Sequence, residues 1–405
     1  MSGKDFTVRA VRCDHTANDE AVYEALERAT APLTQSWDKL ESARRIVVKF
    51  NQDGALDSIA TFEGHRQYLV SEAVVRAVCR LLRARTDAEI VCGDISLVAP
   101  ADKPGPEETT SIAGILDEYG IGYVSGNLPP FRWMDVPGGG QMFRRYAVMG
   151  DVADADCVVS VAKIKNHAFT GVTACLKNLF GLMPTYPAGR PRSYYHHLVR
   201  LPYVLADIGR LFDPVLNIGD MIVSHAGSEW GYGGSEPRMT DTLIAGDNVV
   251  ATDACTMRLM GHDPTADYLT PPFVRDRNHV LIAAEGGHGA VDLETIDFES
   301  DVDPAAEGEF FAARLDPPET VASWRQTMAT QALFYRDNPK LFEPYRGQFI
   351  LLQARQVIWH DTNPRLDQSR RILAGDKPDE SLLFKYVDPD DAEGEHYEVY
   401  EPLLG

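Results

Sequence analysis

Several features that identify common protein classes are missing from this sequence. No stretch approaches the ~20 consecutive apolar residues that a membrane-spanning helix needs, and the first residues lack an apolar signal segment. The six cysteines are scattered without a Cys-x-x-Cys pair, so neither a zinc ribbon nor an iron–sulfur cluster with the usual ligand spacing is expected. These absences predict a cytoplasmic protein whose cysteines are reduced and mostly buried.

Motifs for the common nucleotide-binding and hydrolase classes are also absent. The sequence has no dinucleotide-binding glycine fingerprint, no P-loop and no Gly-x-Ser-x-Gly, so ATP, NAD and serine-hydrolase chemistry lose their main support. A net charge of −21 argues against binding to nucleic acids or anionic membranes, because both would repel such a surface. The sequence leaves open whether the chain forms a homo-oligomer.

The hydrophobic pattern predicts an α/β fold with mostly parallel sheets flanked by helices. Through residues 1–296, apolar runs typical of strands alternate with apolar residues at helical spacing. We expect strands at residues 7–12, 45–50, 89–93, 157–164 and 216–223, and helices at 18–30, 69–85 and 249–260. Residues 297–329 are predicted to be an acidic linker and the start of a helix, and residues 330–405 a small α+β module. The pattern leaves open whether the first domain has two lobes with the ligand cleft between them.

A cluster of positive charge interrupts this acidic sequence. Residues 163–210 contain seven Lys or Arg residues and a single acidic residue, Asp207. Lys163, Lys165 and His167 follow a buried strand-like run at every second position, so one face of the strand should present all three. Open α/β sheets bind ligands at the carboxyl ends of their strands, which makes this a predicted substrate site.

The segment after this strand adds further candidates: Thr170, Gly171, Thr173 and Asn178 as substrate-binding residues and Lys177 as a cation on the same face as Thr173. The helical run 174–181 should offer unpaired N–H groups and a positive dipole at its start. The lysines of the strand and the start of the helix would then hold a carboxylate or phosphate from two sides. In the competing interpretation, the lysines pair with Asp and Glu and only hold two elements together. A desolvated lysine could also accept a proton or form an imine.

Other candidates lie at the ends of neighbouring strands. Lys49 and Asn51 end one strand and Asp94 ends the next, although a solvent-facing lysine and a turn-capping aspartate explain them nearly as well. One of His196 and His197 should face inward and act as acid or base near neutral pH.

A glycine-rich loop follows the strand that contains Asp220. It holds Glu229 and the predicted ligand-contacting residues Trp230, Gly231, Tyr232 and Gly233. The histidines and carboxylates of the region have no diagnostic metal-ligand spacing. Metal and organic cofactors therefore stay undetermined.

These residues resemble those of the domain of unknown function 362 family over roughly residues 40–290. The resemblance implies an α/β fold, and many relatives carry an appended ferredoxin-like cluster module that suggests redox chemistry. This chain lacks the four-cysteine module and ends in residues 330–405 instead, which places direct electron transfer in doubt. A distant likeness to the amino-terminal domain of lactate racemase favours chemistry beside a carboxylate. The matching segments are 48–51, 93–94, 161–167, 171–181, 196–197, 220 with 229–234, and 245–253.

The sequence as a whole predicts an enzyme that acts on a small anionic metabolite in a specialised biosynthetic pathway. Lys163, Lys165 and Lys177 would hold the anion, while histidine and carboxylate side chains move protons in isomerase or lyase chemistry. One alternative is a metal- or cofactor-dependent oxidoreductase that uses the same cleft. The other is a cofactor- or metabolite-binding protein without turnover.

Overall fold

A mostly parallel sheet forms the centre of the molecule. The computed structural model describes residues 4–52, 59–94, 110–126, 129–184, 192–229, 233–313, 316–363 and 370–405. Within these residues the sheet has the strand order β13-β1-β12-β11-β9-β2-β5-β6, with β10 paired to β9. Its strands are β1 Phe6–Arg12, β2 Arg45–Phe50, β5 Glu89–Asp94, β6 Gly122–Ser125, β9 Cys157–His167, β10 Gly171–Thr173, β11 Leu216–Gly227, β12 Ser235–Gly246 and β13 Ile296–Ser300.

Two hydrophobic cores, one on each face of this sheet, bind the helices to it. Alternate residues of β9 enter different cores: Val159 and Val161 pack on one side, Ala162 and Ile164 on the other. The helices are α1 Asp19–Thr30, α2 Thr34–Ser42, α3 Glu72–Arg85, α4 Ala113–Glu118, α5 Gly150–Ala153, α6 Cys175–Asn178, α7 Arg192–Tyr195, α8 Arg200–Phe212, α9 Val249–Leu259 and α10 His279–Glu285. The predicted α/β class is confirmed.

Two small hairpins and a C-terminal sheet complete the strands. The hairpins are β3 Thr61–Phe62 with β4 His65–Arg66, and β7 Phe131–Asp135 with β8 Arg145–Met149. The C-terminal sheet is antiparallel in the order β15-β14-β16, with β14 Phe349–Gln353, β15 Gln356–Asp361 and β16 Leu383–Tyr386. Helices α11 Pro318–Asp337, α12 Pro339–Phe342 and α13 Arg370–Ala374 accompany it. We refer to residues 318–405 as the C-terminal module.

Three predicted boundaries differ from the structure. The strand predicted at residues 157–164 continues to His167, because residues 171–173 fold back and pair with it. The helix predicted at residues 174–181 is only the single turn Cys175–Asn178 followed by the 3₁₀ turn Leu179–Leu182. The predicted linker begins inside the main sheet, because residues 297–300 belong to β13, which pairs in parallel with β1.

Buried ion pairs attach the C-terminal module to the α/β domain. Arg200 of α8 donates to Glu395, which also lies 2.5 Å from Lys385 Nζ of β16. A second pair joins Arg325 of α11 to Asp276, whose carboxylate also accepts the Val199 N–H. Charges buried in this way require partners, so both pairs fix the position of the module.

Among the described helices, none combines the length and the apolar character that crossing a bilayer requires. All six cysteines are buried thiols, as predicted.

Candidate functional site

Charged side chains gather where the parallel strands β5, β2, β9 and β11 end. The register pairs Lys49 with Ser160 and Asp220 with Lys163, so that neighbouring strands end at one edge of the sheet. The side chains of Lys49, Asp94, Lys163 and Asp220 are at most 3% exposed. Local strand order thus brings the predicted residues to the carboxyl edge, where open α/β sheets bind ligands.

Lys49 and Asp94 form the first pair at this edge. Lys49 Nζ lies 3.0 Å from Asp94 Oδ1 and also donates to the Phe50 carbonyl. A Cβ at Gly181 would collide with the Lys49 side chain, so the glycine makes room for the pair. The amide of Asn178 donates to the Lys49 carbonyl at 2.9 Å and so connects α6 to β2.

Lys163 and Asp220 form a second pair, and both side chains are fully buried. Their charged atoms lie 3.2 Å apart, and Asp220 Oδ2 also accepts the Ser71 N–H at 2.8 Å. Burial lowers the pKa of Lys163, although Asp220 opposes that shift. For Lys49 and Lys163 the structure therefore matches the competing interpretation, in which a lysine pairs with a carboxylate.

Lys165 donates to the Tyr68 carbonyl at 2.7 Å, and its ammonium lies 5.7 Å from the centre of the Tyr68 ring. That ring packs edge-on against His225, which is buried. Burial, together with the charge of Lys165, lowers the pKa of His225 to about 4. The segment before α3 therefore contributes to the site through Tyr68, which the sequence pattern did not single out.

His167 is held as a neutral ring in a defined tautomer. Its Nδ1 accepts the backbone N–H groups of Phe169 at 3.0 Å and Thr170 at 3.2 Å, so Nδ1 carries no proton. The proton of the neutral ring is therefore on Nε2, which lies 2.7 Å from Glu229 Oε1. Burial and then the charge of Lys177 lower the pKa of His167 to about 4.

Glu229 is ionised opposite this ring. Burial alone would raise its pKa, but His167, the Ala168 N–H at 3.0 Å and the charge of Lys177 lower it well below its usual range. The predicted site residues His167, Lys177 and Glu229 are thus brought together. His279, which the sequence analysis missed, shares this region. Burial, Lys177 and His167 lower its pKa to about 3, and neither ring nitrogen has a hydrogen-bond partner among the described residues.

The predicted anion site at the start of the helix is wrong. The N–H groups of Cys175 and Leu176 each donate to the carboxyl group of Asp253 at 2.8 Å, so a side chain of the protein already occupies these donors. Burial raises the pKa of Asp253 to about 7. Thr170 Oγ1 donates to the Val172 carbonyl, and Thr173 Oγ1 has no partner among the described residues.

Gly171 permits the tight turn between β9 and β10. Its φ is +74°, and a Cβ there would come 2.9 Å from both Phe273 and the Pro272 carbonyl. Gly233, in the glycine-rich loop after β11, also has a positive φ. The predicted contact residue Asn51 donates its backbone N–H to the Val161 carbonyl of β9. The predicted contact residues Trp230, Gly231 and Tyr232 lie outside the described residues.

A cavity of about 360 Å³ lies beside this edge, between the α/β domain and the C-terminal module. The domain contributes Phe169, His196, His197, Leu201, Pro202 and Arg275 to its wall. The module contributes Trp324, Asp379, Ser381 and Leu382. The half-buried His196 ring lies 6.1 Å from His167 and 5.3 Å from Phe169, measured between ring centres. His196 therefore lines the cavity and lies next to His167.

Two charged groups of the cavity wall, Arg275 and Asp276, are held by neighbours. Arg275 pairs with Asp316 and lies over the rings of Phe169, at 4.5 Å, and Trp324, at 5.4 Å. Sequence reasoning missed Arg275, Trp324 and Ser381, because they come from segments that no local pattern connects to β9.

Among the described residues, Asp14, His15 and Asp241 group closely enough to hold a metal, and this group differs from the histidines and carboxylates considered from the sequence.

Comparison with known proteins gives the family of the chain. The protein described as thylakoid-associated in Synechocystis sp. (strain ATCC 27184 / PCC 6803 / Kazusa) is 28% identical over 160 residues, which cover 36% of this chain. The match covers 48% of that relative, so the chain spans about half of its length. The family described as Domain of unknown function (DUF362) matches residues 46–258, from β2 through nearly all of α9. Because this match covers more than half of the sequence, the chain belongs to the DUF362 family.

Proposed function

We propose that this protein is an enzyme that binds a small anionic metabolite in the cavity and transfers protons through His196. The observation that supports this proposal best is the position of His196, which lines a cavity of about 360 Å³ and lies next to the neutral His167 and ionised Glu229. Imidazole is the side chain that most often transfers protons near neutral pH. The reaction class would be isomerisation or elimination.

The hydrogen bonds of His167 distinguish its role from that of His196. Both ring nitrogens of His167 face protein groups, Nδ1 two backbone N–H groups and Nε2 the Glu229 carboxylate. A histidine engaged in this way orients its neighbours and carries no proton for a substrate. His196 is the catalytic residue of the proposal, and His167 and Glu229 are positioning residues behind it.

The lysines of the carboxyl edge favour an anionic substrate. Lys177 is close enough to lower the pKa of both His167 and His279, and Lys165 does the same to His225. The resulting positive potential would attract a carboxylate or phosphate and stabilise charge that develops during proton transfer. We place this chemistry in the cytoplasm and in a biosynthetic pathway, where a diffusible metabolite is available.

Solvent hydrogen exchange tests the proposal without knowledge of the full reaction. A panel of carboxylate- and phosphate-bearing metabolites is incubated with the protein in D₂O, and loss of C–H signals is followed by proton NMR. We expect at least one compound to exchange, and His196→Gln to reduce its rate by about 10²-fold or more.

The matched control is His288→Gln. His288 also faces a carboxylate, Asp213 at 3.1 Å, but Asp213 precedes β11 and therefore lies at the opposite edge of the sheet. This variant should exchange at the wild-type rate. Binding without exchange in the wild-type protein would refute the enzymatic proposal and favour the metabolite-binding alternative.

A further inference from the structure

A histidine and two aspartates meet at the carboxyl edge of the sheet, and none of the three lines the cavity. Asp14 and His15 follow β1, and Asp241 belongs to β12, which pairs with β1. Because β12 is antiparallel to both β1 and β11, β1 ends at the same edge of the sheet as β11. Open α/β sheets bind their ligands at that edge. We call Asp14, His15 and Asp241 the β1 cluster.

The side-chain atoms of the β1 cluster lie close enough together to bind one metal ion. His15 Nδ1 is 2.9 Å from Asp241 Oδ1 and 3.8 Å from Asp14 Oδ1, and all three residues offer ligand atoms within 4.8 Å of one another. Metal–ligand bonds of ~2.0–2.2 Å place two ligand atoms of the same zinc ion ~3–3.5 Å apart, so small movements of the side chains suffice. These side chains are between 24% and 60% exposed, so an ion can reach them from solvent.

Both carboxylates of the β1 cluster keep an oxygen available for a metal. Asp241 Oδ1 accepts the His15 backbone N–H at 2.8 Å, and Asp14 Oδ1 accepts the backbone N–H and the hydroxyl of Thr16. Within the part of the chain that the structure describes, the second oxygen of each aspartate accepts no hydrogen bond. Neither aspartate forms an ion pair with a Lys or Arg of that part. The carboxylates are therefore oriented but not neutralised by a permanent cation.

The hairpin of β3 and β4 brings further ligand groups to the β1 cluster. The ring of His65, in β4, lies 6.1 Å from the ring of His15, measured between ring centres. The hydrogen bond to Asp241 raises the pKa of His15, and the charges of Asp241, Asp14 and Glu63 raise it further, so Glu63 is also near. Three segments of the chain thus gather three carboxylates and two imidazoles. A simple ion pair with His15 needs one carboxylate, whereas this excess of negative charge favours a bound cation.

We infer that Asp14, His15 and Asp241 bind a divalent transition-metal ion such as zinc. Imidazole nitrogen combined with carboxylate oxygen suits such ions, whereas calcium and magnesium prefer oxygen ligands alone. The ion takes the place of the proton between His15 Nδ1 and Asp241 Oδ1, and that proton is released to solvent. This site goes beyond the proposed function, because it requires neither His196 nor any other residue of the cavity.

The test titrates the full chain, freed of metal with a chelator, with zinc sulfate in a calorimeter. We expect one zinc ion to bind per chain with micromolar affinity or better. His15→Gln and Asp241→Asn should each weaken binding by about 10²-fold or more, because loss of a group behind a ligand already costs ~10–100-fold. Asparagine tolerates the positive φ of +46° at position 241, so Asp241→Asn should keep the fold. In protein labelled with ¹⁵N-histidine, zinc should shift the ring resonances of His15.

His396→Gln is the matched control. His396 Nδ1 also lies 2.9 Å from a carboxylate, that of Glu398, but among the residues that the structure describes this pair has no third ligand group beside it. The control should bind zinc with wild-type affinity. The inference is overturned if the wild-type protein binds no zinc, or if His15→Gln and Asp241→Asn bind it as tightly as the wild-type protein does. Neither result bears on the proposed function, which is decided by exchange in His196→Gln.

Discussion

Replacement of Lys163 by methionine should destabilise the protein strongly, because it leaves a carboxylate buried without its counter-charge. Lys163 Nζ and Asp220 Oδ2 lie 3.2 Å apart, and both side chains are fully buried. Breaking such a pair costs ~3–5 kcal/mol, since the remaining charge cannot reach water. The Ser71 N–H, which donates to Asp220 at 2.8 Å, compensates for only part of that cost.

The second replacement, Asp220→Asn, should restore most of the stability lost in Lys163→Met. Asparagine removes the buried charge and keeps an oxygen for the Ser71 N–H. Lys377→Met is the control, because the Lys377–Glu380 pair is 63% and 42% exposed, and its loss should cost less than ~1 kcal/mol. The assay is urea unfolding of all four proteins. The structural role would be refuted if Lys163→Met lowered the free energy of unfolding by less than ~1 kcal/mol, as the loss of an exposed pair does, and also abolished ligand binding. Lys163 would then be a ligand-binding residue.

Three further predictions concern Asp253, His167 and Glu395. Burial raises the pKa of Asp253 from 3.8 to about 7, so its contribution to stability is complete below pH 4 and is lost as the pH rises to about 7. In denaturant unfolding, Asp253→Asn should therefore lose less stability between pH 4 and 7 than the wild-type protein does. If the variant and the wild-type protein show the same dependence of stability on pH, the raised pKa of Asp253 is contradicted. Ring ¹⁵N spectra should show His167 neutral with its proton on Nε2 at pH 7, charging only as the pH falls toward 4; a charged ring at pH 7 would disprove the assigned tautomer. Because the pKa of His167 is lowered from 6.5 to about 4, the contribution of this histidine to stability should be lost as the pH falls from 6.5 to about 4. Glu395→Gln should weaken the attachment of the C-terminal module through Arg200 and Lys385, and hydrogen exchange should accelerate in β16 but not in β9.

Local sequence pattern was sufficient for five strands of the main sheet, β1, β2, β5, β9 and β11, and for the edge at which the site forms. Alternation in β9 placed Lys163, Lys165 and His167 at buried positions of one strand, because a period of two residues is a property of the strand alone. Pairing with Asp220 and Glu229 depends on the register between β9 and β11, which only the assembled sheet determines.

The start of α6 shows why local reasoning fails elsewhere. The sequence predicts a helix over residues 174–181, of which only one α-helical turn forms, and an isolated helix start would offer its N–H groups to a ligand. The carboxylate that occupies them, Asp253, is 78 residues away in the chain. The cavity is another case, since Trp324 and Ser381 reach it only after the C-terminal module packs against the α/β domain.

Chemical rescue of His196→Gly tests the central claim most directly. Removal of the ring leaves space next to the cavity that free imidazole can enter, and imidazole can then transfer the proton that His196 transfers in the wild-type protein. We predict that the variant loses exchange activity on an acid that the wild-type protein exchanges, and that millimolar imidazole restores a measurable part of it. An undiminished rate in the variant, or a lost rate that imidazole does not restore while the acid still binds with wild-type affinity, would contradict the assignment of proton transfer to His196.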